Sequence, residues 1–552
     1  MSAGRNDAVD AAVNNSSDTQ AKTAPCTAAC PAGIDVPRYL RQIAAGRFDD
    51  ALATIRERIP FPLVCGYACF HPCEAKCGRS QYDGPLAIRM LKRAAAEFAA
   101  DAPLPAALEA SGKKAAVIGS GPCGLTAAYY LALLGHAVTV FEAQEHSGGM
   151  LRYGIPGYRL PDAVVDADIR HIEAAGVNIR TGARVASAEA LLEEGYDAVF
   201  IASGAWRAAR MGIPGEDGAQ VMQGIGYLAA VNAGRAPQIG ANVVVVGGGD
   251  TAIDAARVSR RLGAAVTQIY RRTRTEMPAS AEEIEAALEE GVNMQFLVAP
   301  LRIGQGAVEC VRMQLGAADA SGRPRPEPVA GSEFSLAADS VIIAIGQEVD
   351  APTQAVARER SGALRADDAS FATSVPGIYA GGDAVTGPAT IIGAIAQGRR
   401  ASAAIDRYLG GRGDLERFAS AQPTVAEPVP AARGSARMAW DKLPAASRIA
   451  SFALVEQPYS EQLAREEARR CLSCDLQAYD VQIDAALCKD CGYCKSVCTL
   501  GVFERAEEFN PSGYRPYLAT QAENCIGCLR CLYICPDFAI RIDNLREARA
   551  AA

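Results

Sequence analysis

The sequence has no run near the ~20 continuous apolar residues that a membrane helix requires, although 49% of its 552 residues are hydrophobic. No membrane partner is expected. The opening stretch, MSAGRNDAVDAAVNNSSDTQAKTAP, lacks the apolar core of a secretion signal. Residues 1–24 therefore read as a tail and the protein as cytoplasmic. No long run of Lys or Arg is present and the formal charge is −8, which argues against a nucleic-acid partner. Missing too is any grouping of general base, catalytic metal ligands or nucleophile suited to remodelling a carbon substrate, so no side chain is given a catalytic role. No Cys-x-x-Cys dithiol lies in residues 241–338, which argues against dithiol exchange there.

Cysteine, by contrast, is plentiful and clustered. Ten of the 18 cysteines lie in residues 471–535. Eight of the ten form two near-copies of one word, Cys488-x2-Cys491-x2-Cys494-x3-Cys498 and Cys525-x2-Cys528-x2-Cys531-x3-Cys535-Pro536. This is the spacing of ferredoxins with two [4Fe–4S] clusters, in which each word gives three ligands to its own cluster and one to the other. Cys488, Cys491 and Cys494 would pair with Cys535, and Cys525, Cys528 and Cys531 with Cys498. Thr499 stands where a proline often follows the first word. Such clusters move single electrons, and tight ligand spacings suit a reducing compartment better than disulfides do.

Six more cysteines lie near the front, as Cys26-x3-Cys30-Pro31 and Cys65-x3-Cys69-x3-Cys73-x3-Cys77. One helix over 65–77 would hold its ends about 18 Å apart, too far for one cubane. Gly66, Pro72 and Gly78 also oppose such a helix. Four-cysteine sites suit structural zinc as well, and iron with acid-labile sulfide analysis separates the two readings. Cys123 and Cys310 remain as small core residues.

The middle of the chain carries a repeat. The strand KKAAVI (113–118) precedes Gly119-x-Gly121-x-x-Gly124, a helical run, and the strand AVTVFE, which ends at Glu142. In this dinucleotide-binding order the first glycine makes the turn, the second admits a pyrophosphate and the third lets helix and strand pack. The acid binds ribose hydroxyls. The pattern returns as ANVVVV, Gly247-Gly248-Gly249-Asp250-Thr251-Ala252, a helix and AVTQIY. Here Tyr270-Arg271-Arg272 replaces the acid. Arginine attracts a 2′-phosphate that an acid would repel, so NADP(H) is favoured over NAD(H). A solvated strand end, or pairing with Glu283 or Glu285, is the alternative for these arginines. In 375–384, a strand ends at Gly381-Gly382-Asp383, and a helix begins near Thr390-Ile391-Ile392. Asp383 would bind a flavin ribityl or pyrophosphate group, and the helix start would face the flavin ring with its positive end.

The segments HSGGMLRYGIPGYRLP (146–161), YDAVFIASGAW (196–206), VVVVGGGDTAIDAAR (243–257), YRRTRTEMPAS (270–280), VIIAIGQ (341–347) and TSVPGIYAGGDAV (373–385) resemble the small flavin subunit of bacterial glutamate synthase. Its wider family includes dihydropyrimidine dehydrogenase and bifurcating ferredoxin:NADP oxidoreductases. The resemblance implies FAD at the first site, held by Gly119, Gly121, Gly124, Glu142, Gly149, Gly382, Asp383, Ile391 and Ile392. It implies NADP(H) at the second, held by Gly247, Gly249, Asp250, Thr251, Arg271 and Arg272. The family's N-terminal cysteine word is split here: its second half is Cys26-x3-Cys30, while its first half is Arg470-Cys471-Leu472-Ser473-Cys474. The segment 461–475 is thus expected to fold back and complete two cubanes, for example with Cys471, Cys474, Cys26 and Cys77 sharing one. The x3 spacing before Cys73 is shorter than the family's x5 and leaves the role of Cys65 open.

The expected fold is α/β, with two Rossmann-like domains, one inserted in the other. A helical iron–sulfur domain precedes them and an α+β two-cluster ferredoxin domain follows. The expected boundaries are a tail at 1–24, the helical domain at 25–110, the FAD domain at 111–240 and 339–410, and the NADP(H) domain at 241–338. A linker at 411–470, the cysteine pair at 471–480 and the ferredoxin at 481–545 follow. FAD, NADP(H) and four [4Fe–4S] clusters together split electron pairs into single electrons. The expected function is a hetero-oligomeric electron-transfer subunit serving a catalytic oxidoreductase (2-oxoacid- or aldehyde-oxidising, or glutamate-synthase-like), or ferredoxin. A free-standing NADPH:ferredoxin oxidoreductase, bifurcating or not, and a non-catalytic scaffold are the alternatives.

Overall fold

The computed structural model describes residues 23–100, 103–318, 322–419, 435–476 and 479–545. Residues 1–22 of the expected tail and 420–434 of the expected linker lie outside the described residues.

The strands before both glycine turns are nearly continuous apolar runs. Only the first residue of Lys114–Ile118 and of Asn242–Val246 is exposed, as befits central strands of parallel sheets covered on both faces. Each is central to a five-stranded parallel sheet. The first runs Ile378–Ala380, Ala198–Ile201, Lys114–Ile118, Ala137–Phe141, Asn178–Arg180. The second runs Val221–Gln223, Ser340–Ile343, Asn242–Val246, Ala265–Tyr270, Asn293–Phe296. Ile378–Ala380 returns to the first sheet after the second is complete, so one unit is inserted in the other. The two crossing segments pair antiparallel, Arg207–Ala208 with Gln347–Glu348. An antiparallel layer, Val298–Gly304, Ala307–Ala318, Pro324–Pro328 and Phe334–Ala337, covers one side of the second sheet and buries Cys310.

The N-terminal helices share one core with the first sheet, in which Ile34, Tyr39, Phe61 and Val64 join Leu125, Tyr129 and Ile395. Pro62–Ala68 and Ile88–Phe98 touch at backbone distance: a side-chain carbon at Gly66 would stand 2.6 Å from Arg93 Cα. The 411–470 region is not featureless. It carries helices Ala445–Ile449 and Glu461–Ala468, and residues 435–460 strap the molecule together. Arg448 pairs with Glu289 at 2.6 Å, Glu456 with Arg89 at 2.7 Å, and Val455 N–H donates to the Tyr158 carbonyl at 3.0 Å. At the C-terminus Tyr479–Ile483 pairs with Ile540–Asn544 and closes the cysteine-rich module. Among the described residues no helix is long and apolar enough to cross a membrane.

Candidate functional site

The two glycine turns open into one cavity of about 1500 Å³ between the sheets. Gly119 and Gly247 have positive φ, 104° and 143°, and each backs onto the neighbouring strand's end. A side-chain carbon would stand 2.4 Å from the Ala202 carbonyl oxygen at one and 2.2 Å from that of Ala344 at the other. Only glycine meets both demands. Helices Pro122–Leu133 and Asp250–Arg261 start at Gly121 and Gly249 and aim their free N–H groups into the cavity.

Of the expected nucleotide contacts, Gly119, Gly121, Glu142, Gly149, Gly382, Asp383, Ile391, Gly247, Gly249, Asp250, Thr251, Arg271 and Arg272 line this cavity. Gly124 and Ile392 do not. Gly124 lies inside the helix, where a side-chain carbon would be 2.1 Å from the Gly119 carbonyl oxygen; its work is packing. Ile392 is buried in the core, while its neighbour Ile391 reaches the cavity. Glu142 is held by Ser120 and Gln144, whose backbone N–H groups donate to it at 3.0 and 2.8 Å. Burial raises the Asp383 carboxyl to about 6, against the Ala389 N–H that donates to it at 3.2 Å. Thr390 caps Ile391–Tyr408, accepting from Gly393 N–H.

At the second turn, Glu283 pairs with Arg159 and Arg257, and Glu285 with Arg274. Arg271 is exposed, whereas Arg272 is buried and donates to the Pro324 carbonyl at 2.9 Å. Arg323 lines the same end of the cavity, a position sequence reasoning missed. It arrives on a hairpin of the antiparallel layer, and no local pattern marks it. Arg159, also missed, bridges the units by pairing with Asp254 at 2.7 Å. Ala68 and Phe70, on either side of Cys69, form part of the cavity wall.

The cysteines gather in fours. One small cavity is lined by Cys488, Cys491, Cys494 and Cys535, another by Cys498, Cys525, Cys528 and Cys531. At the front, burial and then the thiols of Cys471, Cys474, Cys77 and Cys73 push the Cys26 thiol up. The fold thus brings the two halves of the split word together. Lys92, almost wholly buried, has its charge disfavoured by burial and favoured by Cys69, Cys65, Cys73 and Cys30 when they are thiolates, with the net effect raising its affinity for the proton. Cys65, Cys69, Cys73 and Cys30 thus all lie near the Lys92 ammonium. Among the described residues no three His, Cys, Asp or Glu side chains converge tightly enough to hold a single metal ion.

The loops carry a shared signature. The second residue after Cys69, Cys471, Cys488 and Cys525 has positive φ in each case: His71, Ser473, Asp490 and Gly527. Three of these turn their N–H onto the preceding sulfur, His71 to Cys69 at 3.4 Å, Ser473 to Cys471 at 3.4 Å and Gly527 to Cys525 at 3.3 Å. Non-glycine residues bear this strain chiefly where function demands it, and N–H···S bonds are what cluster-bearing thiolates receive. The donor sets and loops fit four cubanes, and the glycine cradles fit two dinucleotides.

Comparison with known proteins agrees. Residues 113–398 match the pyridine nucleotide-disulphide oxidoreductase family. Residues 5–103 match dihydropyrimidine dehydrogenase domain II, 4Fe-4S cluster, and residues 487–539 a 4Fe-4S dicluster domain. The NADP(+)-dependent formate dehydrogenase subunit beta of Moorella thermoacetica is 41% identical, over 82% of this chain and 70% of that protein. The NADPH-Fe(3+) oxidoreductase subunit beta of Geobacter sulfurreducens is 41% identical over 70% of this chain and 64% of its own length. The glutamate synthase [NADPH] small chain of Escherichia coli is 35% identical over 70% and 88%.

Proposed function

From a chain that belongs to the pyridine nucleotide-disulphide oxidoreductase family, we propose that electrons pass between NADP(H) and a catalytic partner subunit. The protein is an FAD- and iron–sulfur-dependent NAD(P)H oxidoreductase. Bound flavin would supply exchange between the electron pair of one hydride and single electrons, and bound cubanes would supply one-electron carriers. The chain's own residues bind and orient. The turn at Gly119 and the helix starting at Gly121 hold FAD pyrophosphate, Glu142 its ribose, and Asp383 the ribityl side. The turn at Gly247 holds NADP(H), with Arg271, Arg272 and Arg323 around the 2′-phosphate. Cys26, Cys77, Cys471 and Cys474 hold one cubane, and Cys30, Cys65, Cys69 and Cys73 another. The C-terminal foursomes hold two more.

The observation that supports this reading is the cavity wall: Ala68 and Phe70, the chain neighbours of Cys69, line the cavity into which both glycine turns open. A cluster there is positioned to exchange electrons with the flavin. Relatives named as subunits beta support a hetero-oligomer, in which the partner remodels the carbon substrate. Under anoxic conditions NADPH should bleach the flavin within the mixing experiment. Arg271→Glu should raise the KM for NADPH at least tenfold, a loss of about 1.5–3 kcal/mol in charged contacts, and leave that for NADH nearly unchanged. Equal effects on both would overturn the 2′-phosphate role, and an unbleached flavin would overturn the whole reading.

A further inference from the structure

The C-terminal module meets the N-terminal helices beside Gly78. Ile526, between Cys525 and Cys528, is 6% exposed. A side-chain carbon at Gly78 would stand 3.7 Å from Ile526 Cδ1 and 3.3 Å from Cys474 Sγ. Gly78 directly follows Cys77. Two thiol positions of one foursome and the loop of another therefore meet around Gly78, within van der Waals reach of a single added carbon. Two polar clasps hold the meeting point. Tyr82 Oη donates to the Ile526 carbonyl at 2.8 Å. Arg530, adjacent in sequence to Cys531, donates to Gln81 through Nη1 to Oε1 at 3.1 Å and through Nη2 to the carbonyl. Gln81 ends the 3-10 turn that Gly78 begins.

We propose that this contact is an electron junction. Single electrons cross between the Cys26/Cys77/Cys471/Cys474 site and the Cys498/Cys525/Cys528/Cys531 site by way of Gly78 and Ile526. The Cys488/Cys491/Cys494/Cys535 site is then the outlet, with Cys491 exposed. The inference rests on the function proposed above. NADPH supplies two electrons as hydride in the nucleotide cavity. They cross the junction one at a time, no bond forms or breaks there, and the proton leaves from the cavity. The order also explains why the first half of the N-terminal cysteine word can sit so late in the chain. Leaving the N-terminal site at Cys474, the chain enters the ferredoxin module at Tyr479–Ile483, so the two modules are joined along the chain as well as through the contact.

The test mixes anoxic full-length protein with excess NADPH in a stopped-flow instrument, following flavin and iron–sulfur absorbance together. Two variants are compared with the unsubstituted chain: Ile526→Ala, and Tyr82→Phe combined with Arg530→Ala. Each should retain about sixteen irons, four per cubane, and full-rate flavin bleaching. About half of the cluster bleaching should slow at least tenfold, and Ile526→Leu should restore it. A merely structural clasp would leave these rates unmoved. Cluster bleaching at the original rate and amplitude in both variants, with iron retained, would overturn the junction while the flavin signal still upheld the function.

Discussion

The two ends of this chain build the same kind of site by opposite routes. At the C-terminus both foursomes come from one stretch, Cys488 to Cys535, and the strand pair Tyr479–Ile483 and Ile540–Asn544 closes it. At the N-terminus cysteines from nearly opposite ends of the sequence, Cys26 and Cys77 with Cys471 and Cys474, come together. What differs is what holds the ligands in place. The local module relies on turns and a short sheet. The split site relies on directional polar anchors: Arg470, fully buried, pairs with Glu467 at 2.8 Å and Asp83 at 2.9 Å. Arg41 grips Asp475 through two bonds of 2.8 and 2.7 Å. Arg79 donates to the Arg470 carbonyl at 2.7 Å. Buried charges are costly, and their best-attested use is to specify register. Here register means returning a distant segment to one place only.

Breaking an anchor should thus damage one end and spare the other. Glu467 accepts from Ala87 N–H, Met438 N–H and Arg470. Glu467→Ala leaves Arg470 buried with its charge part-compensated and should cost about 3–5 kcal/mol. Iron should fall by about four per chain, while the C-terminal clusters keep their EPR signals; equal losses at both ends would erase the contrast.

A pH effect should also be confined to the N-terminal side. Asp168, from the helix Asp162–Ala174 of the first nucleotide unit, accepts Val64 N–H at 2.9 Å and so caps the helix that carries Cys65. Burial raises its carboxyl from 3.8 to about 7, against the lowering influence of that bond and of Arg56. The folded chain then keeps a proton that the unfolded chain has released. This proton's contribution makes stability fall as pH climbs from about 4 to about 7, by up to about 1.4 kcal/mol per pH unit. Asp168→Asn should flatten that part of the slope in denaturant titrations at several pH values. An unchanged slope would show that the carboxyl ionises freely.

The smallest effect concerns the returning helix itself. Ser460 caps Glu461–Ala468 by accepting from Leu463 N–H at 3.2 Å. Ser460→Ala should lower stability by about 1 kcal/mol and weaken retention of the Cys471 and Cys474 site in chelator challenge, without touching the C-terminal module.

The parts legible in the sequence were those whose chemistry is local. The glycine turns were readable because a turn, a close approach and a helix start need particular residues at fixed short spacings. The same holds for the ferredoxin words. Gly124 and Ile392 show the limit: motif membership did not say which way a residue faces once its helix is packed. Arg323 shows another, since a hairpin layer brings it to the cavity with no periodic signal. The positive-φ residues after the cysteines were hidden because His71, Ser473 and Asp490 do not look like turn glycines.

By itself the sequence determined the chemistry: two dinucleotide turns and sixteen clustered thiols. Spacing over a few residues is set by covalent geometry, so it survives in one dimension. Only the tertiary structure decided that cysteines from the two ends of the chain meet and that Ala68 and Phe70, the neighbours of Cys69, border the nucleotide cavity. It alone decided that Ile526 meets Gly78. These depend on burial and hydrogen bonds between segments hundreds of residues apart, and no local spacing records them.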